Sequence, residues 1–312
     1  MLSASWLPLL VLLALQARAD FRADVKLVRV DAEVSEDARL IDGLTQEDFR
    51  VRDGGKARAI VYFGHAEEPL DVILVFDTSA SMLPAIERVA DVSRAALGQL
   101  RPGDRVAVMA FDADTDLITD FTSDVDRVQA VIQNDVLRRT LIPNSQIQPA
   151  ARDAARHFLR QPRTNRRRAV VIITDNNGSS RDDRALPTFW EADAVLSGLI
   201  VPGMAVRRRV LFLPVWLPVN GIAGITEIAE KSGGDALKVG DPGGAFRQMI
   251  QRLRRRYSLH YEMPQAKPGE ERTIKVELSS GARRRYPGAK IRARRCYVVP
   301  EQDNPHAASP GQ

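Results

Sequence analysis

The sequence predicts an α/β protein: a doubly wound, Rossmann-like sheet in mid-chain, with a flanking β-sandwich unit drawn from the N- and C-terminal segments. Three observations carry this. Short apolar runs (Val72–Phe76, Val106–Phe111, Ala169–Thr174) alternate with segments of helical period, the pattern of a buried parallel sheet with helices on both faces. After Tyr257 the period changes to two, with Tyr257, Leu259, Tyr261 and Met263 on one face. Before Pro69 the chain also reads as strands, around a turn at Asp53-Gly54-Gly55.

The elements follow in order. Residues 1–19 hold an apolar run, Trp6 to Leu15, closed by Ala17-Arg18-Ala19. That is the pattern of a secretory signal peptide cut before Asp20, which implies a periplasmic or secreted protein; the run is short for an uncleaved anchor. Residues 20–66 form an N-terminal β segment. Within it, Phe21 to Val34 changes alternation phase after Leu27, which predicts a bulge. Residues 67–256 carry the α/β alternation: a helix over Pro84–Leu100, an edge strand at Leu117–Phe121 and a helix over Val125–Val136. A helix over Gln146–Leu159 follows, packed through Ala150, Ala151, Ala154 and Ala155. Further helices are expected near Glu191–Leu199, Ile222–Lys231 and Gly244–Arg256, with a strand at Val210–Val215. Residues 257–300 form the C-terminal β segment, and 301–312 a polar tail expected to be disordered.

Composition bounds the rest. In 312 residues, 44% hydrophobic and 27% charged, there is material for about two globular domains. Cys296 is the only cysteine, which excludes an intramolecular disulfide and a cysteine metal site. The formal charge of +5 sits in short arginine runs at 166–168, 207–209, 254–256 and 283–285. These read as solvated faces, with contact to an acidic surface second; an exported protein seldom meets nucleic acid.

The chemistry gathers where strands end. The run Val72–Phe76 stops at Asp77, followed by Ser79 and Ser81, and Ala169–Thr174 stops at Asp175. In an open α/β sheet, ligands collect outside the carboxyl ends of the strands. Two carboxylates and two hydroxyls there are hard oxygen donors suited to Mg²⁺ or Mn²⁺. The competing reading makes Ser79 or Ser81 a helix cap. Asp112, Asp114 and Asp116 mimic a calcium loop, but Leu117 and Ser123 stand where Gly and Glu are needed, so a turn is expected. No histidine sits beside a matching nucleophile and acid.

Asp77-Thr78-Ser79-Ala80-Ser81 resembles the first motif of the metal-ion-dependent adhesion site of von Willebrand factor type A domains. Ile172-Ile173-Thr174-Asp175 resembles the third, with Asn176 where Gly is usual; Asn tolerates the left-handed backbone the loop would need. The second motif is a Thr opening a helix. Its counterpart here is Ser145, with Thr140 as rival and Ser145 as a plain cap the alternative. Together with GLTQEDFRVRDGGKARAI, LRPGDRVAVMAF, RYSLHYEMP and RARRCYVVP, the chain resembles exported bacterial proteins with a von Willebrand factor type A-related domain. The resemblance implies that Ser79, Ser81 and Ser145 bind a cation directly and that Asp77 and Asp175 do so directly or through water. One position is left for a Glu or Asp of a protein partner. It implies a non-enzymatic binding module, with a scaffold bearing a degenerate site, or a metal-dependent hydrolase, as alternatives. Because bare carboxylates repel, loss of Asp77 is expected to leave stability little changed.

Overall fold

The computed structural model describes residues 26–65, 68–139, 145–178, 181–201, 208–210, 213–215 and 224–301. The signal segment, Thr140, and the tail beyond Glu301 lie outside these residues. At the centre stands a six-stranded sheet in the spatial order Ala236–Lys238, Ala194–Ile200, Arg167–Thr174, Leu70–Asp77, Arg105–Phe111, Thr115–Thr122. All neighbours run parallel except the last, an antiparallel edge strand. From Leu70–Asp77 the chain goes first to one neighbour, Arg105–Phe111, and later to the other, Arg167–Thr174. The strand order therefore reverses between Asp77 and Asp175, the place where open α/β sheets leave a crevice.

Leu70–Asp77 is buried along its whole length because both of its faces are covered. Val72, Leu74 and Phe76 pack with the helices Leu83–Leu97 and Pro242–Arg254 and with Val128 and Ile132. Ile73 and Val75 point the other way, into Ile147–Leu159, Ala185–Ala192 and Ile225–Ser232. Ala150, Ala151, Ala154 and Ala155 have no more than traces of exposed surface, and these small side chains let the Ile147–Leu159 helix lie close on the sheet.

Two expectations change here. Residues 191–199 are not a helix: the helix is Ala185–Ala192, Asp193 closes it in a left-handed conformation (φ 53°), and Ala194–Ile200 is a sheet strand. A short, largely apolar run has no clear period to separate buried helix from buried strand, and here the place beside Arg167–Thr174 decides. The predicted strand at 210–215 is instead two short strands, Arg208–Val210 and Leu213–Val215, paired with each other outside the main sheet.

The chain ends build the second unit together. Leu27–Glu36 pairs antiparallel with Tyr257–Glu262 and with Lys290–Arg292; Ile60–His65 pairs with the other side of Tyr257–Glu262. In the facing sheet, Glu271–Leu278 lies between Phe49–Asp53 and Cys296–Val298. Phe49 and Tyr257 meet across the core with ring centroids 5.1 Å apart. At one end the fully buried Asp53 carboxylate accepts from Tyr261 Oη and Tyr297 Oη, both at 2.9 Å, and from Arg272 Nε at 2.8 Å. The bulge expected near Leu27 is absent: the register from Leu27 to Ala32 is unbroken. Both alternation phases are buried because the strand is covered twice. Val28, Val30, Ala32 and Val34 face the sandwich core, while Arg29, Asp31 and Glu33 are buried on the other side.

The arginine runs 166–168 and 254–256 are not solvated faces, since Arg167, Arg168, Arg254 and Arg256 are all buried. Arg167 and Arg168 open a parallel strand, and the starts of parallel strands lie beside the ends of the covering helices. Arg167 donates to Leu253 O (3.1 Å) and Arg254 O (2.9 Å), closing the Pro242–Arg254 helix on one face. Arg168 donates to Ala192 O (3.0 Å), closing Ala185–Ala192 on the other. Successive strand residues point to opposite faces, so two adjacent arginines supply positive charge to two negative helix ends. The β unit is tied to the same edge by a further arginine: Arg29 bonds Asp193 (2.7 Å) and the carbonyls of Asn165 and Arg166.

Arg167→Ala should therefore destabilise the protein by about 3 kcal/mol, the usual cost of removing one partner from a buried charged network. Arg284→Ala, in a run that does lie on the surface, should fall within about 0.5 kcal/mol of wild type. Urea unfolding of both variants checks this, and equal midpoints would contradict the assignment.

Candidate metal centre

Three loops meet at the carboxyl edge of the sheet. Asp77 is fully buried there. Its Oδ1 accepts from the Ser79 backbone N–H (3.0 Å) and from Ser145 Oγ (3.0 Å), and its Oδ2 from Thr174 Oγ1 (2.6 Å). Ser79 Oγ and Ser81 Oγ lie 3.3 Å apart, and Ser81 Oγ donates to Asp175 Oδ2 at 2.7 Å. The five residues singled out from the sequence thus form one connected cluster, although they come from loops as far apart as Ser81 and Asp175.

The capping alternatives do not describe these side chains. Ser79 precedes a short 3₁₀ turn, Ala80–Met82, but makes no side-chain cap bond, and the residue capping the Leu83–Leu97 helix is Met82. The helix after Ser145 is capped at Gln146, so the Ser145 hydroxyl is turned to Asp77 instead.

Local backbone chemistry fixes the loops. Thr78 bonds the neighbouring strand end twice, through N–H (2.8 Å) and Oγ1 (3.0 Å), both to Phe111 O. Asn176 takes φ 58°, the left-handed conformation its type tolerates, and its N–H donates to Thr174 Oγ1 at 3.0 Å. Asp175 Oδ1 accepts from Asn177 N–H (2.9 Å), an Asx turn. Gly178 is required for a different reason: a Cβ there would stand 2.5 Å from Ser145 O, so only glycine lets the third loop touch the second. Sequence reasoning passed over Thr78, Thr174 and Gly178. Thr174 stands immediately before the loop-opening Asp175, which was the available signal for it; nothing local marked Gly178.

The electrostatics favour a cation. Burial pushes the Asp77 carboxyl above its usual range and the nearby Asp175 charge adds to this, while hydrogen bonds from Thr174 and Ser79 oppose it. The donor set is two carboxylates and three hydroxyls, all oxygen, which fits Mg²⁺ or Mn²⁺ and not a soft metal. The buried Oδ1 atoms of Asn176 and Asn177, beside Asp175, have no hydrogen-bond partner, so the loop also carries unused acceptors. Among the described residues, no group of three or more His, Cys, Asp or Glu could hold a metal, so hydroxyls are needed to complete any coordination. Asp112 and Asp114 form the tight turn between Arg105–Phe111 and Thr115–Thr122 through Asp114 N–H to Asp112 Oδ1 (3.3 Å), and Asp116 pairs with Arg139.

These contacts revise the expectation that Asp77 is dispensable for folding. Asp77→Ala strands three donors in a dry site and should cost about 2–4 kcal/mol in metal-free protein. Asp77→Asn keeps an acceptor of the same shape and should cost less. Because the folded Asp77 pKa is raised, its contribution to metal-free stability is fully present below the unfolded carboxyl value. It is lost as pH rises through the folded one. Denaturant titrations in chelator from acid to neutral pH should show this fall for wild type and not for Asp77→Asn.

Residues 72–178 match the family model described as von Willebrand factor type A domain. No curated protein matches the chain. Among solved structures, an aerotolerance-related membrane protein from Bacteroides fragilis NCTC 9343, solved with multiple mutations to serine, is 19% identical. The match covers 59% of this chain and 98% of that one, with a TM-score of 0.47. BatB from Bacteroides thetaiotaomicron is 22% identical over 59% and 97% of the two chains, TM-score 0.48. A von Willebrand factor type A protein from Catenulispora acidiphila is 12% identical over 90% and 76%, TM-score 0.47. The match over 72–178 takes in Asp77, Ser79, Ser81, Ser145 and Asp175, so the segment of this chain that carries the cluster is similar to a von Willebrand factor type A domain.

Proposed function

We propose that this protein is an exported, non-catalytic binding module that captures a protein partner through a divalent cation. The observation that carries the reading is the unbroken chain of contacts Ser145–Asp77–Ser79–Ser81–Asp175 across three loops at the strand-order reversal. Asp77 and Asp175 supply the negative charge, and Ser79, Ser81 and Ser145 supply neutral oxygen. With neutral hydroxyls as direct ligands, a bound Mg²⁺ or Mn²⁺ would stay electrophilic enough to accept a Glu or Asp carboxylate of the partner at an open position. This chain's part is to hold the donors in place before the partner arrives, so little ordering is left to be done on binding. Hydrolysis is the weaker reading because no described side chain beside the cluster is arranged as a general base. Export rests on the leader pattern of residues 1–19; among the described residues no helix is long and apolar enough to cross a membrane.

Calorimetric titration tests the reading. Mg²⁺ or Mn²⁺ should bind wild-type protein at millimolar concentration or below and should not bind Asp77→Asn. Ser145→Ala should weaken binding several-fold, since one neutral donor is lost while both charges remain. Protons compete for the same oxygens, so affinity should fall as pH drops. The fall should begin at a higher pH than for an ordinary carboxylate, because Asp77 holds its proton more tightly. Equal binding by wild type and Asp77→Asn would turn the reading to a scaffold with a degenerate site.

A further inference from the structure

The sandwich has one side that the other described residues leave open. Lys56–Arg58 is the last strand of the four-stranded sheet and Ile60–His65 the last strand of the other. The two are joined only by Ala59, so residues 56–65 carry the free edges of both sheets. Lys56, Ala57, Ala59, Val61 and Tyr62 are exposed, Val61 and Tyr62 at 51% and 47%. A row of unpaired backbone groups is a template for another strand. One rung is already filled from within: Gln46 Nε2 donates to Ile60 O at 2.9 Å, where an incoming N–H would donate.

Beside this edge lies a cleft of about 650 Å³, floored by Phe49, Val51, Ile60 and Leu278. Its walls carry Arg50, Arg52, Arg58 and Arg283 against only Glu47 and Glu277. Glu277 is neutralised in place, with Lys275 at 2.9 Å, Arg283 at 3.5 Å and Arg52 at 3.6 Å. Arg58 Nε is buried without a hydrogen-bond partner. Cations on a free edge repel other basic strands, a second copy of this edge included, and so guard against self-association. The same cations attract a strand that alternates carboxylates with apolar side chains, the carboxylates meeting the arginines and the apolar side chains the cleft floor.

We propose that residues 56–62, with this cleft, dock an extended acidic peptide segment of a partner protein by strand addition. The seven positions span about 23 Å at strand rise. The surface is separate from the cation cluster and needs no metal.

The test uses the mature full-length protein in chelator and a fluorescein-labelled seven-residue peptide alternating Glu and Val, beside its Lys-for-Glu counterpart. Anisotropy should show the acidic peptide binding and the basic one binding at least tenfold more weakly. The double variant Arg50→Glu/Arg283→Glu should weaken the acidic peptide by roughly fivefold or more, with Arg283→Gln alone giving a smaller loss in the same direction. Amide hydrogen exchange should slow over 56–62 on binding. Equal affinity for the two peptides, no effect of either variant, or protection elsewhere would overturn the proposal. So would a dimer in peptide-free sedimentation that protects the same amides, since the edge would then be taken by a second copy of this chain.

Discussion

Asp77 ends a strand that is buried along its whole length, and its carboxylate is the point at which three otherwise unrelated loops are tied together. A charge so placed is costly unless hydrogen-bonded. Ser145, Thr174 and the Ser79 N–H meet that need without neutralising the charge. The positions of Ser79, of the start of the Ile147–Leu159 helix and of the Thr174–Gly178 loop follow from it. Hydrogen bonds from neutral donors keep the carboxylate in place and still leave its charge free to attract a cation, which is the property the proposed function uses.

The opposite edge of the sheet solves the complementary problem. There the helices end, with their negative poles and bare carbonyls, and Arg167 and Arg168 close one helix on each face. Asp31 and Glu68 lie near Arg167, and Asp193 near Arg168, as counter-charge. The result is a contact between the α/β unit and the sandwich that is ionic rather than apolar. The helix-capping role also accounts for arginine in place of lysine, because one guanidinium reaches two carbonyls at once.

The alternation of buried strands with amphipathic helices, and the placing of Asp77 and Asp175 at strand ends, were readable from residue order because both depend on local period. The Ala-rich face of Ile147–Leu159 and the turn at Gly54-Gly55, with φ of 55° and 80°, were readable for the same reason. What was not readable depends on who lies opposite. Ala194–Ile200 is a strand only because a neighbour offers it a ladder. The two phases of Leu27–Glu36 look like a slip until the α/β unit is seen to cover the polar face. Arginine runs look solvated until the helix ends they close are placed beside them. Gly178 has meaning only through its distance from Ser145 O, which no local window contains.

The proposed function depends on the oxygen cluster around Asp77 being a cation site. Anomalous diffraction from a crystal soaked in Mn²⁺ tests it most directly, because the scattering locates the ion without reference to any partner. One dominant peak is expected among the oxygens of Asp77, Ser79, Ser81, Ser145 and Asp175. A peak only at Asp112–Asp116 or another surface carboxylate cluster, with none at Asp77, would contradict it.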